Sequence, residues 1–138
     1  MTWAALLLAV MLQPAAAPAP IETLNRDQSS GVEEARLVVV RSADEWTKLW
    51  REHAGDKPAP KVDFAHRMVV AVFLGSRPSA GYAAEIVGTR ADGTGLVVEW
   101  RERAPDRGMV AAQIMTAPAH LVSVPKVTGP VRFEKAGQ

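Results

Sequence analysis

The chain of 138 residues contains no cysteine. Disulfides, thiolate nucleophiles, cysteine-ligated metal sites and a lipid-modified N-terminal cysteine are therefore excluded. An excess of charge of either sign is also missing, because 16 basic and 15 acidic residues leave a net charge of +1. The charges alternate along the chain, as in residues 99–103, so no basic stripe favours nucleic acid or an anionic membrane. The length and an apolar content of 48% predict one globular domain that is stabilised by its core.

The N-terminal residues have the pattern of a secretory signal. Ala4–Leu12 is apolar and precedes Gln13-Pro14 and a run of alanines and prolines. This pattern matches a signal peptide and is too short to span a bilayer. No lysine or arginine precedes the apolar stretch, which leaves a retained N-terminal anchor as the alternative. We expect residues 1–19 to be a signal peptide, residues 20–35 a linker with one short strand as the alternative, and residues 36–135 a single globular domain, exported to the periplasm or secreted.

One amphipathic helix is predicted over about residues 42–54. Ser42 and Glu45 have the spacing of a capping box, in which each side chain satisfies a free backbone amide of the first turn. Gly55 is expected to end the helix. Apolar side chains recur at helical spacing on one face: Trp46, Leu49, Trp50 and His53. We interpret the two tryptophans as core anchors rather than as a binding platform.

The rest of the domain has the pattern of β-strands. Residues 37–40 predict one strand, and the unbroken apolar run 68–74 predicts a central strand that is covered on both faces. Further strands are expected over residues 110–116, 121–124 and 131–133. The predicted fold class is α+β, mainly antiparallel β: a small sandwich-like or curved sheet that is packed by one amphipathic helix.

Residues 82–90 and 95–103 predict a β-hairpin. Alternation places Leu96, Val98 and Trp100 on the core face, together with the row Tyr82, Ala84 and Ile86. A two-residue Asp92-Gly93 loop would bring opposite faces together. We expect an odd-numbered loop, because it pairs Ile86 with Trp100 and Glu85 with Arg101.

The sequence shows no recognisable catalytic or metal centre. Ser123 and Lys126 match the pattern S-x-x-K, but Pro125 excludes the helix on which the two side chains would meet. Asp63 and His66 offer two metal ligands without an obvious third. We therefore expect no enzyme, no metal and no cofactor.

The loop after residue 74 is the strongest candidate for recognition. Pro78 fixes φ inside a turn, and Gly81 supplies the freedom to leave it. Arg77 and Ser79 are therefore expected to project outward, on a loop of the kind that usually carries binding residues. The alternative is that the loop only connects two strands.

Three ordered motifs resemble the C-terminal domain of PrcB-type protease-complex subunits. Residues 75–82, Gly-Ser-Arg-Pro-Ser-Ala-Gly-Tyr, resemble the signature G-x-R-P-T-G-G-Y, with Ser79 and Ala80 as departures. The other two motifs are residues 40–50 and 113–126, and the second of these contains Gln113, Thr116, Pro118 and His120. The resemblance covers roughly residues 31–135. It implies an exported, non-catalytic domain that belongs to a protease complex.

A shorter resemblance points to the N-P-T-T-G-Y loop of chagasin-type cysteine-protease inhibitors. It covers six residues, and Arg77 replaces the asparagine. We expect a domain that binds a protein partner, for which a protease is the candidate. We expect no binding of nucleic acid and, after removal of the signal peptide, no membrane span. The alternative is an inhibitor that blocks a protease cleft with residues 75–82. The expected partner contacts are Arg77, Pro78, Ser79 and Tyr82. The expected structural residues are Gly75, Gly81, Gln113, Thr116, Pro118 and His120. Of these, Gln113 and His120 are expected to satisfy backbone groups at the strand break 117–119.

Overall fold

The computed structural model describes residues 20–137. The predicted signal peptide, residues 1–19, lies outside the described residues. Within them the elements are β1 (Glu22–Asp27), β2 (Ala35–Val40), α1 (Ala43–Ala54), β3 (Arg67–Leu74), β4 (Ala83–Asp92), β5 (Gly95–Arg103), β6 (Ala119–Pro125) and β7 (Val131–Lys135). No helix in this range is long and apolar enough to cross a membrane.

The strands form two sheets that stack face to face, with apolar side chains packed between them. Their orders are β1-β6-β3-β2 and β4-β5-β7. The strand pairs are antiparallel except β5–β7, which is parallel. Helix α1 packs on the outer face of the first sheet, and the inner face packs on the second sheet. The arrangement is an α+β sandwich, and the predicted fold class is confirmed.

Strand β3 lies in the middle layer and is covered on both faces. Val69, Ala71 and Phe73 contact the helix side, whereas Met68 and Val70 belong to the cluster between the two sheets. The side chains of this strand are between 0% and 4% exposed from residue 68 to residue 74. Burial on both faces removes the need for alternation, and it explains the unbroken apolar run.

Helix α1 follows its sequence signals at both ends. The Ser42 hydroxyl accepts the backbone N–H of Glu45 at 3.3 Å and donates to the Glu45 carboxylate at 3.1 Å. Gly55 ends the helix with φ of 62° and donates its N–H to Arg51. The indoles of Trp46 and Trp50 are buried in the core and donate to backbone carbonyls. They are core anchors, as predicted.

The segment 20–35 is part of the fold, and its interpretation as a linker is corrected. Strand β1 pairs with β6 and completes the first sheet. The next residues are fixed to the end of α1, because the Ser30 hydroxyl contacts Nδ1 of His53 at 2.7 Å and the Asn25 side chain contacts Nε2 at 2.8 Å. Burial lowers the pKa of His53, so the neutral ring donates from Nε2 and accepts from Ser30. The segment was misread because its polar side chains serve these long-range contacts.

The hairpin has the predicted register but a different turn. Ile86 pairs with Trp100 and Glu85 with Arg101, whereas Asp92 pairs with Gly95 across a two-residue loop. A bulge between residues 86 and 88 restores the pairing that an odd loop would have given. Arg101 binds Glu85 through two hydrogen bonds of 3.0 and 3.1 Å. These bonds and a further one from Arg103 lower the pKa of Glu85 to about 2.

Candidate interaction surface

The signature loop, residues 75–82, carries the chain from the first sheet to the second. Both of its glycines have positive φ, 80° at Gly75 and 96° at Gly81. A Cβ atom would lie 2.8 Å from the backbone nitrogen of Ala35 in the first case and 2.8 Å from Pro105 in the second. Both positions therefore need glycine for conformation and for space.

The side chain of Arg77 turns back onto the protein, and the expectation that it projects outward is wrong. Its Nε donates to the Glu102 carboxylate at 2.5 Å, and its Nη1 donates to the carbonyls of Leu74 and Ser76 at 3.0 Å. The side chain is 27% exposed. A guanidinium can cap several acceptors at once, so Arg77 fixes the start of the loop onto β5.

The other residues of the loop face different surroundings. Pro78 is exposed, whereas Ser79 and Tyr82 are half-buried. The Ser79 hydroxyl donates to the carbonyl of Ala80 at 3.0 Å. The expected outward projection of Ser79 is therefore only partial. Tyr82 precedes β4 and is not part of the core cluster that contains Ala84 and Ile86.

The motif at residues 113–126 is bound directly to the signature loop. The backbones of Arg77 and Thr116 exchange two hydrogen bonds of 2.7 and 2.9 Å. The buried Thr116 hydroxyl donates to the carbonyl of Ser79 at 2.9 Å. The buried Pro118 accepts the N–H of Leu74 at 3.0 Å through its carbonyl. The two motifs therefore form one structural unit at the end of β3.

His120 joins the two sheets. Its side chain is 1% exposed, its Nδ1 accepts the backbone N–H of Ile86 at 2.9 Å, and its Nε2 lies 3.0 Å from the Thr23 hydroxyl. Burial, followed by the charge of Arg26, lowers the pKa of His120 to about 4. The ring is therefore neutral at pH 7, with the proton on Nε2.

The roles predicted for His120 and Gln113 are only partly correct. His120 satisfies a backbone group, but that group lies beside the bulge in β4 and not at the break around Pro118. Gln113 is exposed, and its amide reaches the carbonyl of Ala111 at 3.4 Å. The position of the bulge depends on the pairing of two distant strands, so a sequence pattern could not identify the partner of His120.

The predicted strand 110–116 is instead an exposed apolar loop. We call residues 104–115 the apolar loop. It contains four of the six exposed large hydrophobic residues in the described chain, with exposures between 59% and 100%: Met109, Val110, Ile114 and Met115. Residues 113–115 form no backbone hydrogen bond with another part of the described chain. Their apolar and β-branched character was read as a strand, but no neighbouring strand pairs with them.

The apolar loop rests on the signature loop. Ala80 donates its backbone N–H to the carbonyl of Ala112 at 3.0 Å, and the bonds of Thr116 fix the other end. Between the loops and the end of β5 lies a groove of about 880 Å³ that is lined by residues 80, 81, 83, 101–107 and 109–112. The groove combines apolar loop residues with Arg101 and Arg103. The signature loop thus supports the exposed surface more than it forms it.

Asp63 and His66 form an exposed pair. The Asp63 carboxylate lies 2.7 Å from Nδ1 of His66, and this hydrogen bond lowers the pKa of Asp63. Within residues 20–137 no group of three or more histidine, aspartate or glutamate side chains converges on one point. The described chain offers this pair no third ligand.

Residues 68–125 match the family model described as PrcB C-terminal. This part of the chain is therefore similar to the C-terminal domain of PrcB. The match runs from β3 to the end of β6 and contains residues 75–82 and residues 113–125, so Arg77, Thr116 and His120 lie inside the matched region. No curated protein and no solved structure matches the chain.

Proposed function

We propose that the PrcB-like domain is an exported, non-catalytic interaction domain that associates with or stabilises a partner protein. The exposed apolar loop, residues 104–115, carries this proposal. Exposed apolar side chains are common singly, but a cluster of four within seven residues is a feature of interaction surfaces. Methionine suits such surfaces because its side chain adapts to the shape of a partner.

The family description supports a protease as the candidate partner, because it refers to PrcB, which the resemblance associates with a protease complex. The contacts predicted from the sequence were Arg77, Pro78, Ser79 and Tyr82. We now assign the main contacts to Met109, Val110, Ile114 and Met115, and assign to Arg77 the support of the loop beneath them. Pro78 remains an exposed contact candidate.

The alternative of a chagasin-like inhibitor is less well supported by the geometry. Such an inhibitor would insert residues 75–82 into a protease cleft. The side chain of Arg77 is instead bound to Glu102, Leu74 and Ser76. We therefore favour an accessory subunit over an inhibitor.

Capture of partners from the native envelope fraction, with quantitative mass spectrometry, tests the proposal. The double variant Val110→Asp/Ile114→Asp should reduce the recovery of the specific partner at least tenfold, because it places two carboxylates in an apolar contact. Val87→Asp is the matched control, since Val87 is also exposed but lies on β4. Unchanged recovery with the double variant would refute the role of the apolar loop.

Inhibition assays separate the two candidate functions. We expect no inhibition of papain-like or serine proteases at micromolar concentrations of the domain. Inhibition that is lost with Pro78→Ala but retained by the Val110→Asp/Ile114→Asp variant would favour the inhibitor.

A further inference from the structure

A second cleft lies between the edge of the first sheet and the end of the second. It has a volume of about 360 Å³. Strand β2, which is an edge strand, forms one wall, and strands β5 and β7 form the other. We call it the β2 cleft. Its principal lining residues are Arg36, Leu37, Leu74, Arg77, Trp100 and Lys135.

The β2 cleft is lined by three cations, Arg36, Arg77 and Lys135, and by no carboxylate. Behind the lining, Arg36 is paired with Glu52 at 2.9 Å, and Glu102 lies 2.5 Å from Arg77 and 3.8 Å from Lys135. A single carboxylate therefore serves two cations. The Lys135 side chain remains 55% exposed and can approach a second anion. The electrostatic complement of this cleft is a negatively charged group.

The indole of Trp100 supplies an unused hydrogen-bond donor. In the described chain, Trp46 and Trp50 donate their indole N–H groups to backbone carbonyls, whereas the indole N–H of Trp100 has no acceptor. The Nζ atom of Lys135 lies 5.2 Å from the centre of the Trp100 ring. A carboxylate is the group that can accept from the indole and also neutralise the ammonium.

The edge of β2 next to the cleft is free. Strand β2 pairs only with β3, and residues 36–40 form no other backbone hydrogen bond in residues 20–137. An edge strand of this kind is a template for a further strand. Leu37 lines the cleft and is exposed. A side chain that stands beside Leu37 on the same face of an added strand would therefore enter the cleft.

We propose that the β2 cleft binds an extended peptide segment of a protein partner. The segment pairs with the free edge of β2 and places a glutamate or aspartate carboxylate against the Trp100 indole and the Lys135 ammonium. This site goes beyond the proposed function, since it does not involve the apolar loop. Arg77 connects the two surfaces, because its backbone holds the loop and its side chain lines the cleft.

Nuclear magnetic resonance titration tests the proposal with two blocked peptides, acetyl-Thr-Val-Thr-Glu-Thr-Val-amide and its glutamine counterpart. The glutamate peptide should shift the indole N–H of Trp100 and the amides of β2. The glutamine peptide should bind about tenfold more weakly, as expected for the loss of a charge-assisted hydrogen bond. Lys135→Gln should weaken the binding of the glutamate peptide by a similar factor. Trp100→Phe should weaken the binding of this peptide several-fold.

Lys61→Gln is the matched control, because Lys61 is exposed and precedes β3, whereas residues 73 and 74 at the end of β3 line the cleft. It should leave both affinities unchanged. Equal affinities of the two peptides would overturn the proposal, as would shifts confined to residues 109–115 or no binding at millimolar concentration. Sodium acetate is a further probe. Acetate that binds as tightly as the glutamate peptide would show a site for small carboxylates and would refute strand addition.

Discussion

His120 should make the stability of the domain dependent on pH between pH 6.5 and about pH 4. Its ring is buried between the sheets and accepts the N–H of Ile86 at 2.9 Å. Burial lowers the pKa from 6.5 to about 4. In the unfolded chain the pKa is the ordinary value, so between pH 6.5 and pH 4 the unfolded state binds more protons. The contribution of His120 to the free energy of unfolding should therefore be fully present above pH 6.5 and be lost as the pH decreases.

The size of the effect follows from the pKa difference between the two states. One pKa unit corresponds to about 1.4 kcal/mol, so across the full pH window the free energy of unfolding should change by about 3 kcal/mol. Between pH 7 and pH 5 the expected loss is about 2 kcal/mol, because most unfolded chains but few folded ones are protonated at pH 5. Burial also lowers the pKa of His53, and its contribution has the same sign.

Urea denaturation at pH 7 and pH 5 measures this loss. We expect the His120→Asn variant to show a pH difference that is smaller than that of the native chain by about 2 kcal/mol. His66→Asn is the matched control, because its side chain is 81% exposed, and it should keep the full difference. A direct NMR titration of the ring in the folded native chain must give a pKa clearly below 6.5. A value of 6.5 or above, or an unchanged pH difference in the variant, would refute the reasoning.

Three further predictions concern the loop and the segment before β2. Arg77→Ala should lower the free energy of unfolding by about 2 kcal/mol, because charge-assisted hydrogen bonds are lost. It should also increase proteolysis within residues 104–115, and unchanged resistance to proteolysis there would contradict the supporting role of Arg77. Gly81→Ala should cost about 1–3 kcal/mol, since its φ of 96° is unfavourable for alanine, and a melting temperature within a degree of the native one would contradict this. Ser30→Ala should cost about 1–3 kcal/mol in urea denaturation, since it breaks the bond to His53, whereas the exposed Ser29→Ala should be neutral; equal effects would show that the bond is unimportant.

Local signals in the sequence were sufficient for the helix and for the buried central strand. Ser42, Glu45 and Gly55 act within one helical turn of the ends of α1, so their roles depend little on the rest of the fold. The apolar run of β3 also carries its own evidence, because burial on both faces needs apolar residues at every position.

Positions that depend on a distant partner could not be predicted. The pairing of Ile86 with Trp100 was correct, but the bulge that produces it has no signal in the residues around Val87. Strand β1 was read as a linker because its partner, β6, lies near the other end of the chain. Apolar residues 110–116 were read as a strand because a sequence pattern does not show whether a pairing partner exists.

The candidate site shows the same limitation. Pro78 and Gly81 correctly predicted a turn, but the direction of the Arg77 side chain depends on Glu102, which lies on another strand. Exposure of the apolar loop also follows from the fold as a whole. The sequence therefore located the family signature without showing that its neighbour carries the exposed surface.

The pairing of β1 with β6 has a consequence for the order of folding. Glu22 pairs with Ser123, and β6 also contributes the second neighbour of β3, so the first sheet cannot form until most of the chain is available. Strand β7 then adds in parallel to β5. Contacts between residues that are distant in sequence slow folding because a large loop must close first. We expect a slow folder whose nascent chain stays open to chaperones and proteases until β6 has been synthesised.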